Sequence, residues 1–223
     1  MNLLRIIPNI TKKQRLRQVI SDSWSERELI LKPDINLFCW KRPPNLMISN
    51  YLEGLLEKEL KLISFYTSLD ELAYQVNLSR KIWDQHAENQ HGADEFWADV
   101  MKVAYDFISS CTKEKTGTVR LKLIEGNECR KYHTDRYPLR LFTTYYGSGT
   151  EWLPERAVNR PALGNPNAQV LRDPSLVQQM ETFEVGILKG EFHNRTKKSS
   201  GIVHRSPQIE GSGEKRVILR IDV

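Results

Sequence analysis

Thr118-Val119-Arg120-Leu121-Lys122-Leu123-Ile124 is the run on which the fold turns, because it opens a half of the chain built from short β-type segments instead of helical periods. Further segments of this type follow at residues 138–146, 183–188, 201–206 and 216–221. Glycine and asparagine punctuate them at Gly126-Asn127, Gly147-Ser148-Gly149, Gly164-Asn165 and Gly211-Ser212-Gly213. Such residues supply the backbone conformations that turns need. Helical signals nearly vanish, so a sheet architecture is expected over residues 116–223. The one long, weakly patterned segment, 154–175, mixes prolines with polar residues and reads as an ordered loop of the kind that often carries function.

Upstream, residues 1–115 read as a mainly helical layer packed on that core, giving an α+β chain that is one compact domain overall. Asn36-Leu37-Phe38-Cys39-Trp40 is its one expected strand, stopped by Pro43-Pro44. Ser49 is placed to cap a helix in which Leu52, Leu55, Leu56, Leu60 and Ile63 recur at helical spacing, and Ser68-Leu69-Asp70-Glu71 is a capping box opening a second. The third helix has the clearest stripe, Phe96, Trp97, Val100, Met101, Ala104, Phe107 and Ile108, with Asp94 and Glu95 in its first turn.

A chain of 223 residues, 39% hydrophobic and 27% charged, has the composition of a soluble globular protein with a sizeable core. The apolar start, Met1 to Pro8, is too short for a signal peptide, and nothing approaches a membrane span. Cys39, Cys111 and Cys129 are odd in number and widely spaced, which suggests neither a disulfide framework nor a CxxC metal site. A reducing, cytoplasmic setting is expected. The net charge of +5 is scattered, with only short clusters such as Arg195-Thr196-Lys197-Lys198. Nucleic acid is therefore disfavoured as a partner, leaving a small molecule or a protein as substrate.

The chemistry concentrates at His133-Thr134-Asp135. In a strand, residues i and i+2 emerge on one face, so an imidazole and a carboxylate converge. A histidine from a later strand completes a 2-His-1-carboxylate triad, which suits iron(II) because it leaves coordination positions open. Zinc(II) binds the same donors. His193 and His204 lie downstream; His204 is preferred because it occupies the β-type run Gly201 to Ser206, whereas His193 falls in a polar stretch. His86-Ala87-Glu88 also matches His-x-Glu, but in a helical or loop-like context that points the two side chains apart.

Pairing residues 202–206 with 216–220 around Gly211 places His204 opposite Ile218, and so puts Arg216 and Arg220 on the face of His204. A guanidinium there is suited to hold a dicarboxylate in a bidentate fork. Arg140, Thr144 and Tyr146 share strand parity and are expected to line the same cavity, with Glu151 and Trp152 as further pocket residues and Trp152 as an aromatic wall.

The order His-x-Asp, an arginine leading an apolar strand (Arg140 to Tyr146), a glycine-rich turn, a distal histidine and an arginine beyond it resembles the iron(II)/2-oxoglutarate oxygenases. More closely, Tyr132-His133-Thr134-Asp135-Arg136, Tyr145-Tyr146-Gly147-Ser148-Gly149-Thr150-Glu151-Trp152-Leu153 and Val203-His204-Arg205-Ser206-Pro207 resemble a bacterial family of unknown function, DUF1826. Together the resemblances imply a double-stranded β-helix core, a metal held by His133, Asp135 and His204, and 2-oxoglutarate as cosubstrate. Arg216 is implied as the carboxylate-binding residue, with Arg220 in reserve and Arg140 and Tyr146 assisting. The expected activity is metal-dependent hydroxylation with iron(II), 2-oxoglutarate and O2. The alternative is a non-catalytic zinc-binding protein of metal homeostasis using the same three ligands.

Overall fold

The structure, a computed structural model, describes residues 16–60, 62–87, 90–191 and 200–223. In chain order its elements are β1 (Arg17–Ser21), a 3-10 segment (Trp24–Leu31), β2 (Ile35–Trp40), α1 (Leu46–Glu53), β3 (Ile63–Ser68), α2 (Leu69–Asp84), α3 (Ala93–Cys111), β4 (Thr116–Glu125), β5 (Leu139–Tyr146), β6 (Glu151–Leu153), α4 (Asn167–Val170), β7 (Gln178–Gln179), β8 (Val185–Lys189), β9 (Val203–Arg205) and β10 (Lys215–Asp222). Short 3-10 turns lie between β6 and β8. Two sheets result: seven strands in the order β1-β2-β8-β5-β10-β4-β3, and three in the order β7-β6-β9. His133 extends the smaller sheet through a single antiparallel bridge to His204.

The period-two pattern of β10 gives the larger sheet two unlike faces. Val217, Leu219 and Ile221 join an apolar cluster with Tyr51 and Leu52 of α1, Leu72 and Trp83 of α2, and Phe96, Val100, Phe107 and Ile108 of α3. Arg216, Ile218, Arg220 and Asp222 alternate with them and point to the opposite side, toward the smaller sheet. β5 behaves likewise: Leu139 and Leu141 belong to the helical cluster, whereas Phe142 packs with Leu37, Cys39, Trp152, Met180, Leu188 and Ile202 in a second cluster between the sheets.

The stripe expected on α3 is the centre of the helical face. Phe96, fully buried, meets Trp97 at 5.0 Å, Tyr145 at 5.1 Å and Tyr51 at 5.6 Å between ring centroids. Side chains of this size stabilise by about 2–3 kcal/mol each on burial. α2 begins after Ser68 as the capping box predicts, although the Ser68 hydroxyl makes no cap bond.

The N-terminal half departs from its reading in two places. The first helix is capped by Asn45, whose side chain accepts from the Met47 and Ile48 N–H groups, and it ends before Gly54 instead of running on to Ile63. Ile63 instead opens β3, pairing with Leu121 of β4. The half is also more than a helical layer, since β1, β2 and β3 are all strands of the larger sheet.

The predicted hairpin does not form. β9 pairs antiparallel with β6, while β10 lies between β4 and β5 in the other sheet. The long turn after Ser206 carries the chain from one sheet to the other, which adjacency in sequence conceals. Residues 154–175 are ordered, with Ala157, Val158, Ala162 and Val170 packed on Tyr132, Leu153 and Val203. Among the described residues no helix is long and apolar enough to cross a membrane.

Candidate metal centre

His133 and His204 face each other across the bridge, each donating its backbone N–H to the other's carbonyl, at 3.0 and 2.9 Å. Their rings lie 4.5 Å apart. In both, Nδ1 lies beside a carbonyl two residues upstream, Lys131 O at 2.9 Å and Ile202 O at 3.2 Å. A carbonyl there selects the tautomer with hydrogen on Nδ1 and leaves the Nε2 lone pair free, the form that binds a metal.

Asp135 supplies the third donor. Its Oδ2 lies 3.4 Å from His204 Nε2, and its Oδ1 lies 3.9 Å from His133 Nε2. One ligand atom from each of the three residues falls within 4.8 Å of the others. The Asp135 backbone is fixed by the residues that follow β8: its carbonyl accepts from Glu191 N–H at 2.9 Å, and a Cβ on Gly190 would stand 2.0 Å from Tyr137 O and 2.6 Å from Asp135 O. Only glycine permits that approach. Asp135 Oδ2 is buried without a hydrogen-bond partner among the described residues. A buried carboxylate oxygen with no donor beside the His204 Nε2, with the His133 Nε2 close to the same carboxylate, is what a cation would satisfy, so the donor set fits a divalent metal.

The histidines sit in unlike environments. Burial pushes the His204 imidazole down to about 4, against partial opposition from Asp135. Burial also pulls on His133, but the Cys129 thiol beside it, the Lys131 carbonyl and Asp135 outweigh that pull and hold it above its ordinary value.

Arg216 is 1% exposed, and burial lowers its pKa to about 10. Its Nε donates to Ser148 O at 2.5 Å, while Nη1 and Nη2 have no partner among the described residues. Gly147 makes room for it: at φ 77°, a Cβ there would lie 2.3 Å from Lys215 O and 3.0 Å from Arg216 Cγ. A guanidinium held by one nitrogen with both terminal nitrogens bare fits a carboxylate in a bidentate fork. Arg220 lies on the same face, its Nε 3.4 Å from Asp222 Oδ2.

The other expected site residues are placed less simply. Arg140 is committed to ion pairs with Asp135 and Asp222, so it is not a free cosubstrate ligand. Tyr146 pairs with Val217 while Thr144 pairs with Ile218, so a bulge at Tyr145 reverses the parity and turns Tyr146 to the helical cluster. Trp152 stands opposite His204 in the β6–β9 pair, on its face and within the cluster between the sheets. Glu151 lies on the other face, accepting from Arg205 Nε at 2.7 Å and Tyr132 Oη at 3.1 Å, and so does not line the pocket. His193 and Glu88 lie outside the described residues; His86 follows the end of α2, away from any strand. Asp222 and Arg120 are the polar residues the sequence reading missed. Asp222 shares the parity of Arg216 and Arg220, so extending the β10 pattern by two residues finds it, whereas Arg120 stands opposite Arg220 through the β10–β4 pairing, which the sequence does not display.

The fold is mixed α+β, with two sheets and a His-Asp-His cluster whose donors could hold a metal ion. The model of the family described as "Protein of unknown function (DUF1826)" matches residues 21–222, and the chain belongs to that family. Among curated proteins none matches it. Solved structures similar to it include the dioxygenase for auxin oxidation in rice, at 11% identity over 84% of this chain and 72% of that one with a TM-score of 0.46. Another is dioxygenase for auxin oxidation 1 from Arabidopsis thaliana, as its 2-oxoglutarate complex, at 8% identity over 93% and 91% with a TM-score of 0.48.

Proposed function

We propose that this chain is an iron(II)- and 2-oxoglutarate-dependent oxygenase with a double-stranded β-helix core, in which His133, Asp135 and His204 hold the metal and Arg216 binds the far carboxylate of the cosubstrate. The observation that carries this reading is the Arg216 guanidinium, buried on the inner sheet face with both terminal nitrogens unpaired among the described residues. Burying a charge whose hydrogen bonds are not all made costs free energy even where, as here, Glu128 and Glu214 attract it from nearby. A site that only buffered or delivered zinc would give that charge no work, whereas a dicarboxylate with one end on the metal uses it.

Iron(II) with 2-oxoglutarate and O2 supplies the oxidising power that converts a substrate C–H to C–OH while the cosubstrate loses CO2 and becomes succinate. The chain's own part is positioning. His133, Asp135 and His204 would hold the ion by three protein donors, a set that would leave it open to exogenous ligands. Trp152 and Phe142, the latter 5.9 Å from the His204 ring, exclude water from one side of the triad.

The test is anaerobic loading with iron(II) and 2-oxoglutarate, followed by oxygen and quantitation of succinate. Succinate above the level of an Asp135→Ala variant is expected, even without a prime substrate. Metal uptake with no succinate and no 2-oxoglutarate binding would count decisively against the reading.

A further inference from the structure

Two imidazoles fix only part of a metal site; the carboxylate between them can rotate and offer one oxygen or both. Arg140 removes that freedom. Its Nη1 bonds Asp135 Oδ1, while its Nε bonds Asp222 Oδ1. Asp222 is 2% exposed and is held in turn by Arg120 through its second oxygen. The Arg140 guanidinium also lies 4.7 Å from the Tyr137 ring centroid and 5.5 Å from that of Phe142, so it has little room to swing. The outcome is asymmetric: Asp135 Oδ1 is taken, and Oδ2 is left buried, without a hydrogen bond among the described residues, 3.4 Å from His204 Nε2. A pair built only for stability would engage both oxygens, because a buried acceptor without a donor costs about 1–3 kcal/mol.

From this we infer that Arg140 is a positioning residue that presents Asp135 to the metal through Oδ2 alone, with Asp222 and Arg120 as the brace that keeps Arg140 in place. The inference rests on the metal-site reading above. Arg140 need not touch metal, cosubstrate or substrate; it acts through Asp135. The brace also ties the metal carboxylate to β10, the strand that carries Arg216.

Cobalt(II) is a suitable probe, since its affinity is read by titration and its visible d–d absorption reports coordination geometry. Removing a residue that orients a metal ligand costs about 10–100-fold in affinity, and that loss is expected for Arg140→Met together with an altered cobalt spectrum. Arg140→Lys, which keeps the charge but lacks the rigid fork whose separate nitrogens hold Asp135 and Asp222, should fall between it and the unaltered chain. Asp222→Asn should weaken cobalt binding by about severalfold, because Arg140 keeps its bond to Asp135 but loses its brace. If Arg140→Met does not fold, the Arg140→Lys and Asp222→Asn variants decide by the same ordering. A folded Arg140 variant with unaltered affinity and spectrum would overturn this proposal alone. Failure of the unaltered chain to take up cobalt would overturn the metal-site reading first.

Discussion

The two faces of the seven-stranded sheet are built on opposite terms. On the helical face, buried and half-buried polar groups are paired: Asp84 accepts from Tyr51 and Trp97, and Asp99 holds Arg42 in a fork while accepting from Tyr145. On the inner face lie Asp135 Oδ2, Arg216 Nη1 and Nη2 and Arg220 Nε, which among the described residues are the buried side-chain atoms left without a hydrogen bond. One face is closed and stabilises the fold. The other keeps unsatisfied groups where a cation and an anion would satisfy them, so the same strand serves stability and chemistry by its alternation.

The largest effect expected of a test lies on the closed face. Phe96→Ala should cost about 3–5 kcal/mol in chemical denaturation and leave metal affinity per folded molecule unchanged. A loss under about 1 kcal/mol would mean that this aromatic centre is not where stability resides.

Acid should act through the open face. His204 has a folded pKa near 4 against an ordinary 6.5, so the unfolded chain binds its proton first. The metal-free chain is then fully stable with respect to this group above pH 6.5 and loses up to about 3 kcal/mol as pH falls toward 4. Denaturation at several pH values in the presence of chelator measures this, and His204→Gln should flatten the profile through that window. An equal slope in both proteins would show that His204 is not buried as described.

Arg216→Met reverses the usual sign. Replacing a buried, half-unpaired guanidinium with an apolar side chain should leave stability unchanged or raise it by about 1 kcal/mol, despite the lost bond to Ser148. A clear fall in melting temperature would place Arg216 among the structural residues.

The smallest effect separates two thiols. Burial, reinforced by Glu184, pushes the Cys39 thiol well up, whereas hydrogen bonding to His133 outweighs burial at exposed Cys129 and draws it down. Iodoacetamide should modify Cys129 first, as read by mass spectrometry.

The sequence exposed most of the inner face because chemistry there depends on short-range rules. His133 and Asp135 could be found from one i, i+2 spacing; parity along one strand puts Arg216 and Arg220 on a common face, but the hairpin expected to set them beside His204 does not form. Features that depend on which strands meet were hidden. The β9 turn looked like a hairpin because Gly211-Ser212-Gly213 is a good turn, yet the chain crosses to the other sheet there. Tyr146 was misplaced by one bulge, and Glu151 by the unseen pairing of β6 with β9. The helix after Asn45 was drawn too long because the leucines up to Leu60 keep helical spacing, while the competing β-type run from Ile63 to Ser68 went unread.

Calorimetric titration of the iron(II)-loaded chain with 2-oxoglutarate, without oxygen, tests the central claim most directly. Saturable binding at one equivalent is predicted for the unaltered chain, with loss in Asp135→Ala and in Arg216→Met while the latter stays folded. No binding heat, or binding undiminished by Arg216→Met, would contradict the account.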